Sequence, residues 1–430
     1  MAINNGTHES GRTIVISLDG MRPDFYRRPD AHGLKIPELR KLVEAGASAD
    51  AVESIYPTTT YHAHATLVTG VPPRVHGIYS HLASLDPTEP ARPWSWFASA
   101  IRVPTLWDVA GAAGRKTAAI SWPVSAGARI DYNIPEVWDP AAPDPHRDFD
   151  AAARHSTPGL FEEVARALGP LLASAGPDRL RAEAALYLLD RHRPDLLLVH
   201  FVHYDQLAHR HGPWSPEALA ALEETDEEIR RIREAVARDG PITFVVLSDH
   251  GFVPVEKEAA PLVVLVEEGL FGRSPDGKLE LKRLGAVHAG GSFALYWLES
   301  PSAEDQRALE RAVKRLRETG SVNEVIDRAK LESLEADPDA ELMLDAAPGF
   351  YFSDRFEGPV VRESLKDRGT HGHLPSRAGL EASFIAVGPG IATGKNLGRT
   401  SLTRVAPTLA LRLGLPADIL ASKAPPLELT

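Results

Sequence analysis

Short apolar runs rich in Val and Ile alternate along the chain with longer stretches whose apolar positions recur every three or four residues. The first pattern predicts buried strands and the second predicts helices packed by one face. Thr13 to Gly20 (TIVISLDG) reads as a strand closing on an acid. Ile36 to Gly46 (IPELRKLVEAG) reads as a helix ending at a glycine. Helices follow at Ala65–Gly70 (ATLVTG) and Val103–Gly114, with strands at Lys116–Pro123 (KTAAISWP) and Arg193–Asp205 (RPDLLLVHFVHYD). A long amphipathic helix over Ser215–Gly240 leads into the strand of Pro241–Gly251 (PITFVVLSDHG). Alternation of this kind predicts an α/β fold, a mostly parallel sheet with helices on both faces. Ligands in such folds sit beyond the carboxyl ends of the strands.

The regularity loosens after Gly251. Gly285–Ser300 reads as antiparallel strands, Ser302–Gly320 as a helix and Ala340–Ser353 as a strand pair, before Ala382–Gly390 (ASFIAVGPG) returns to the core pattern. We therefore expect residues 1–255 and 366–430 to form the main domain, with 256–365 as a smaller inserted α+β lobe. Residues 81–100 form a loop rich in Pro and Trp.

Composition narrows the function classes. A net charge of −12 disfavours a nucleic-acid scaffold but is compatible with a small phosphorylated substrate, since bound cations reverse a local field. The absence of cysteine removes disulfides, thiolate metal sites and cysteine nucleophiles. No window is apolar enough to span a membrane. With a polar stretch before the first strand, the expectation is a soluble cytoplasmic chain; a secreted chain stripped of its signal peptide would look the same.

Four strand-like segments end at or near an acid or a histidine. Asp19 closes the first, Asp205 follows LLLVHFVHY in the third, Asp249 and His250 close the fourth, and His371 precedes the last core strand. If the sheet is parallel, these ends meet at one edge. Asp205 and His209, four apart, share a helix face and can chelate one ion. Five or six such N/O ligands suit two ions about 4 Å apart, an arrangement that serves phosphoryl transfer. In the stretch PTTTYHAH, Thr60 reads as the N-cap of a helix, where backbone N–H groups favour a phosphate. His62 and His64, two apart, read as scaffold, as does His76 in its turn; Thr58 and Thr59 read as turn and strand residues.

The motifs SLDGMRPDF, YPTTTYHAHATLVTGVPPRVHGI, HYDQLAHRHGP, LSDHGF and GTHG, in this order, resemble the type I phosphodiesterase/nucleotide pyrophosphatase family of the alkaline phosphatase superfamily. The resemblance implies a three-layer αβα sandwich and two zinc ions. It implies Thr60 as a nucleophile that forms a phosphothreonine intermediate and also touches a metal. Asp19, Asp249 and His250 would bind the zinc that holds Thr60, and Asp205, His209 and His371 the second zinc. Trp107 and Trp122 are similar to positions beside the family's nucleotide-binding wall. Where nucleotide pyrophosphatases carry a phosphate-binding asparagine, four residues after Gly77, this chain has His81, which becomes a candidate for substrate discrimination. The stretch GVPPRVHGI is similar also to phosphonoacetate hydrolases. Phosphonate or phosphomonoester hydrolysis at the same site therefore stays open beside diester hydrolysis, as does a non-catalytic metal-bound binder of phosphorylated ligands.

Overall fold

The computed structural model describes residues 11–89, 91–142 and 147–430; the polar segment 1–10 and residue 90 of the Trp-rich loop lie outside them. Eight strands form the main sheet, in the order Lys395–Asn396, Ala47–Ser48, Phe384–Val387, Ile242–Leu247, Arg12–Leu18, Leu196–Phe201, Thr117–Ile120 and Tyr132–Ile134. Arg12–Leu18 runs parallel to both neighbours, pairing Ser17 with His200 on one side and with Leu247 on the other.

Alternate residues of these strands divide between two apolar clusters. Ile14, Ile16, Leu197, Val199, Phe244 and Val246 face the helices Pro37–Ala45, Pro177–Arg191 and Pro216–Val236. Val15, Leu196, Leu198, Val245 and Leu247 face Thr60–Thr69, Leu106–Ala112 and Val405–Arg412. Both faces of the central strands are covered, so their sequences are almost continuously apolar. Each fully buried Val, Ile or Leu contributes about 1.5–3 kcal/mol. This is the three-layer αβα sandwich expected.

Phe384–Val387 departs from the parallel pattern. It runs antiparallel to Ile242–Leu247, with Phe384 opposite Leu247. The chain just before Phe384 therefore lies at the edge where the parallel strands end. A wholly parallel sheet would have sent His371 to the opposite edge, so convergence depends on this reversal.

None of the strands between Val253 and Thr370 joins the main sheet. Leu284–Ala289 and Ser292–Trp297 pair antiparallel, as expected. The strands of Ala340–Ser353 do not form a pair. Leu342–Ala346 lies between Ser292–Trp297 and Val322–Asp327, whereas Gly349–Phe352 runs parallel to Val253–Ala259. Pro348 offers no N–H to a hairpin ladder, and Gly349 at φ 83° turns the chain out of one sheet into the next.

Pro37–Ala45 has no side-chain cap of its own. Asp226, from Pro216–Val236, accepts hydrogen bonds from the Glu38 and Leu39 N–H groups at 2.9 and 2.7 Å. Burial pushes this carboxyl up to about 6, although the two N–H bonds oppose the shift. A raised acid contributes stability that is complete below the unfolded value near 4 and is lost as pH rises through 6. In chemical denaturation, the stability of wild type relative to Asp226→Asn should therefore increase by about 2–3 kcal/mol between pH 7 and pH 4. A pH-independent difference would contradict this account of the cap.

Candidate active site

The strand face that packs on Thr60–Thr69 turns polar at its carboxyl end. Val15 gives way to Ser17 and Asp19, Leu198 to His200, and Leu247 to Asp249. Asp19, Asp249 and His250 form one buried cluster; Asp205, His209 and His371 form a second, half-buried one. His250 Nε2 lies 3.3 Å from Asp19 Oδ1 and 3.2 Å from Asp249 Oδ2. In the second cluster, Asp205 Oδ2 is 3.7 Å from His209 Nε2, and Asp205 Oδ1 is 3.6 Å from His371 Nε2. The rings of His250 and His371 stack at 3.8 Å, which joins the two clusters.

The lone pairs of all three histidines are aimed by their other nitrogen. Each Nδ1–H donates to a backbone carbonyl: His250 to Gly251 at 2.9 Å, His209 to Gly369 at 3.1 Å and His371 to Thr58 at 2.9 Å. Each Nε2 is left as a lone pair facing the carboxylates, the form a metal requires. The carboxylate oxygens Asp19 Oδ1, Asp205 Oδ1 and Asp249 Oδ2 are buried without a hydrogen-bond donor. Burial, with repulsion from Asp205 and Asp249, holds the Asp19 carboxyl well above its ordinary range. Oxygens that lack donors and repel one another fit a divalent cation in each cluster.

Thr60 opens the helix Thr60–Thr69, with Thr59 rather than Thr60 as N-cap. The expected cap therefore moves back by one residue. As first helical residue, Thr60 has its Oγ free for the clusters, at 3.5 Å from Asp19 Oδ2 and 3.4 Å from His250 Nε2. Backbone N–H groups of a first helical turn have no partner within the helix.

His62 and His64 are buried scaffold, as expected. His62 bonds Thr59 Oγ1 and the Tyr79 carbonyl. His64 donates from Nδ1 to the Thr60 carbonyl at 2.8 Å and accepts the Ser17 hydroxyl at Nε2, 3.0 Å away. Burial, with His200 alongside, pushes His64 down to about 3, so it stays neutral. His76, buried, meets the Thr66 hydroxyl at 3.1 Å.

Two contributors escaped the sequence reading. Thr58 accepts the Gly372 N–H at 3.0 Å and donates to the His373 carbonyl at 3.0 Å, clamping the loop that carries His371. His200 reaches Asp19 Oδ2 at 3.1 Å and Glu136 Oε2 at 3.0 Å. Burial opposes its charge, but the bonds to Asp19 and Glu136 prevail and push it up to about 10. The segment between residues 256 and 365 also reaches the clusters. Gly291 N–H donates to the His371 carbonyl at 2.7 Å, and a Cβ on Gly372 would lie 1.8 Å from the Ala289 carbonyl oxygen.

His81 is half-buried, with Trp94 4.9 Å and His288 6.1 Å away, ring to ring. Burial and then His288 hold its pKa well below the ordinary imidazole value, so it presents a neutral ring at neutral pH. Trp107 and Trp122 need correction. They are 2% and 1% exposed, in the core beneath the site. Trp122 presents its ring to His64 at 4.9 Å, and Trp107 only floors a 410 Å3 cleft at Ala98–Thr105 lined by no candidate ligand. Trp122 spends its apolar surface on packing, and Trp107 meets open space only in that cleft, which no residue of the two clusters lines. Trp94 is the tryptophan beside His81.

Gly20 follows Asp19 at φ 72°, a conformation L side chains rarely adopt, and its N–H donates to Asp249 Oδ1 at 3.2 Å. An added Cβ would approach Phe252 Cδ2 to 2.9 Å and Asp205 Oδ1 to 3.6 Å. Gly20→Ala is expected to destabilise the fold by about 1–2 kcal/mol and to weaken divalent-ion binding. Thermal unfolding and metal titration check this; unchanged ion affinity would show that the turn does not set the ligand geometry.

Comparison with known proteins adds an independent finding. The family model described as type I phosphodiesterase / nucleotide pyrophosphatase matches residues 13–374. An uncharacterized pyrophosphatase/phosphodiesterase of Schizosaccharomyces pombe is 28% identical over 264 residues, 59% of this chain and 47% of that protein. Venom phosphodiesterase 2 of Crotalus adamanteus is 25% identical over 56% of this chain and 27% of its own length. The match thus spans half or less of these relatives. Human ectonucleotide pyrophosphatase / phosphodiesterase 5 has a similar fold, with TM-score 0.68 at 16% identity, covering 96% of this chain and 97% of that one. The murine protein, solved as an inactive threonine-to-alanine variant in complex with AMP, gives 0.66 at 17% identity over 95% and 96%. Among the described residues, no helix is long and apolar enough to cross a membrane.

Proposed function

This chain belongs to the type I phosphodiesterase / nucleotide pyrophosphatase family, and on that premise we propose that it hydrolyses phosphate diesters with Thr60 as nucleophile. The observation that carries the reading is the convergence of two ligand clusters on one hydroxyl at a helix N-terminus. Two divalent cations, zinc by the family resemblance, would be held by Asp19, Asp249 and His250 and by Asp205, His209 and His371, supplying charge neutralisation at the phosphoryl oxygens and acidifying a bound hydroxyl.

The chain's own residues do the rest. Thr60 Oγ attacks phosphorus, a Thr–O–P bond forms, and the bond to the leaving alcohol breaks. The proton lost from the threonine hydroxyl balances the one gained by the leaving alcohol. Water then cleaves the phosphothreonine ester, so one diester and one water become one monoester and one alcohol. The first turn of Thr60–Thr69 turns its free N–H groups toward a phosphoryl oxygen. Thr58 and Gly291 hold the His371 loop in place. The AMP bound to the murine fold relative supports a small phosphorylated substrate. A panel of phosphodiester, phosphomonoester, nucleotide and phosphonate substrates on zinc-loaded protein tests the reading, with diesters expected to turn over fastest.

His81 favours a second reading, in which the same site takes a phosphonate or a monoester. A neutral imidazole between Trp94 and His288 offers one hydrogen bond where an asparagine amide would stand. His81→Asn is expected to raise kcat/KM for a nucleotide diester, relative to a phosphonate, by about 10-fold, the worth of one hydrogen bond. An unchanged ratio would make His81 a loop residue.

A further inference from the structure

Asp19 uses its two oxygens differently. Oδ1 faces His250 Nε2 at 3.3 Å and has no hydrogen-bond donor, whereas Oδ2 is 3.1 Å from His200 Nε2. His200 is itself held from behind. Its Nδ1 lies 3.0 Å from Glu136 Oε2 and 3.2 Å from the Ser121 carbonyl, with the ring wholly buried. Glu136 uses its other oxygen as well, accepting the Tyr61 hydroxyl at 3.0 Å. Tyr61 is the residue after Thr60, and Thr60 Oγ1 reaches back to Asp19 Oδ2 at 3.5 Å. Thr60, Tyr61, Glu136, His200 and Asp19 thus close a ring through the first turn of the helix.

We infer that Glu136 and His200 are positioning residues that fix which oxygen of Asp19 is offered to a cation and where it stands relative to Thr60. The inference rests on the proposed two-ion site and adds residues outside its ligand set. A carboxylate ligand free to rotate presents either oxygen and loses entropy when it binds. One oxygen tied to a buried imidazole, itself tied to a buried carboxylate, removes that freedom before the ion arrives. The same carboxylate holds Tyr61, so the register between ligand and nucleophile is set by one side chain. Glu136 reaches Asp19 by the shorter hydrogen bonds through His200, at 3.0 and 3.1 Å, whereas its other route, by Tyr61, ends on the 3.5 Å contact from Thr60; this sets the form of the test.

Glu136→Ala, His200→Phe, His200→Gln and the double variant Glu136→Ala/His200→Phe would be titrated with zinc against a chromophoric chelator, and their metal-free melting recorded. Glu136 borders a 110 Å3 apolar cavity lined by no candidate metal ligand, so its truncation enlarges an existing space. Wild type is expected to bind two ions. Glu136→Ala and His200→Phe should each weaken one of them by about 10–100-fold and leave the other unchanged. His200→Gln, which keeps one donor, should recover part of the loss. The double variant should lose much less than the product of the two single losses, because the glutamate's main route to the ligand runs through His200. Losses that multiply in the double variant, or variants that match wild type while wild type takes up two ions, overturn this inference alone. Wild-type protein that takes up no ion overturns the two-ion site together with it. Should His200→Phe not fold, the comparison of Glu136→Ala with His200→Gln decides the same question.

Discussion

Thr60→Ala is expected to lower turnover of a bis-nitrophenyl phosphate by about 10,000-fold or more while ion content stays at the wild-type level. The size follows from losing the attacking atom itself, since single deletions of a nucleophile forfeit most of the catalysis that depends on it. Ion content should hold because each cluster keeps its three side-chain ligands, and Thr60 only touches Asp19 and His250 from 3.5 and 3.4 Å. Substrate affinity should change little, because the first-turn N–H groups stay in place and the removed hydroxyl acts at the reacting phosphorus. A variant with full ion content and wild-type turnover would exclude Thr60 as nucleophile.

Asp205→Asn is expected to reduce ion uptake from two per chain to one and to lower turnover by about 1,000-fold, the order of effect seen when one charge-stabilising group is removed from an active site. Its effect on stability should depend on metal. In metal-free protein, burial first and then the Asp249 charge push the Asp205 carboxyl up, so a neutral amide relieves a cost and the variant should melt no lower than wild type. With ions present the order should reverse. Ligand held at 1,000 times its dissociation constant stabilises a fold by about 4 kcal/mol, and the variant forgoes one such contribution. Metal analysis with melting in chelator and in zinc separates the cases. A variant less stable than wild type in chelator would mean that the carboxylates are structural rather than held ready for cations.

Much of the site was legible because its residues sit where the strand pattern ends. Asp19, Asp205, Asp249 and His250 each follow an apolar run, and a parallel sheet brings such ends together. His371 lies beside Asp205 and His209 for a reason the pattern does not contain. Phe384–Val387 runs antiparallel, and strand direction is set by what the neighbouring strands and connections allow. His200 carried a local signal, a lone imidazole within a strand otherwise apolar from Leu196 to Phe201. Its meaning depends on register with Ser17 and on Glu136, 64 residues earlier. Thr58 serves a loop more than 300 residues away, and no spacing reveals that. Trp107 and Trp122 read as binding residues because large aromatic side chains serve cores and ligand walls alike. Only burial separates the two uses. Ala340–Ser353 read as a strand pair from its two apolar runs, yet its strands joined different sheets, because pairing partners come from distant parts of the chain.

The central claim is a covalent ester on Thr60, and it is tested most directly by acid-quenching zinc-loaded protein during turnover of a slow phosphodiester and mapping the peptide that carries the added mass. The account predicts that the adduct lies on Thr60, forms at the rate of the first alcohol's release, and is absent from Thr60→Ala. An adduct on another residue, or steady hydrolysis by Thr60→Ala at the wild-type rate with no adduct, would contradict it.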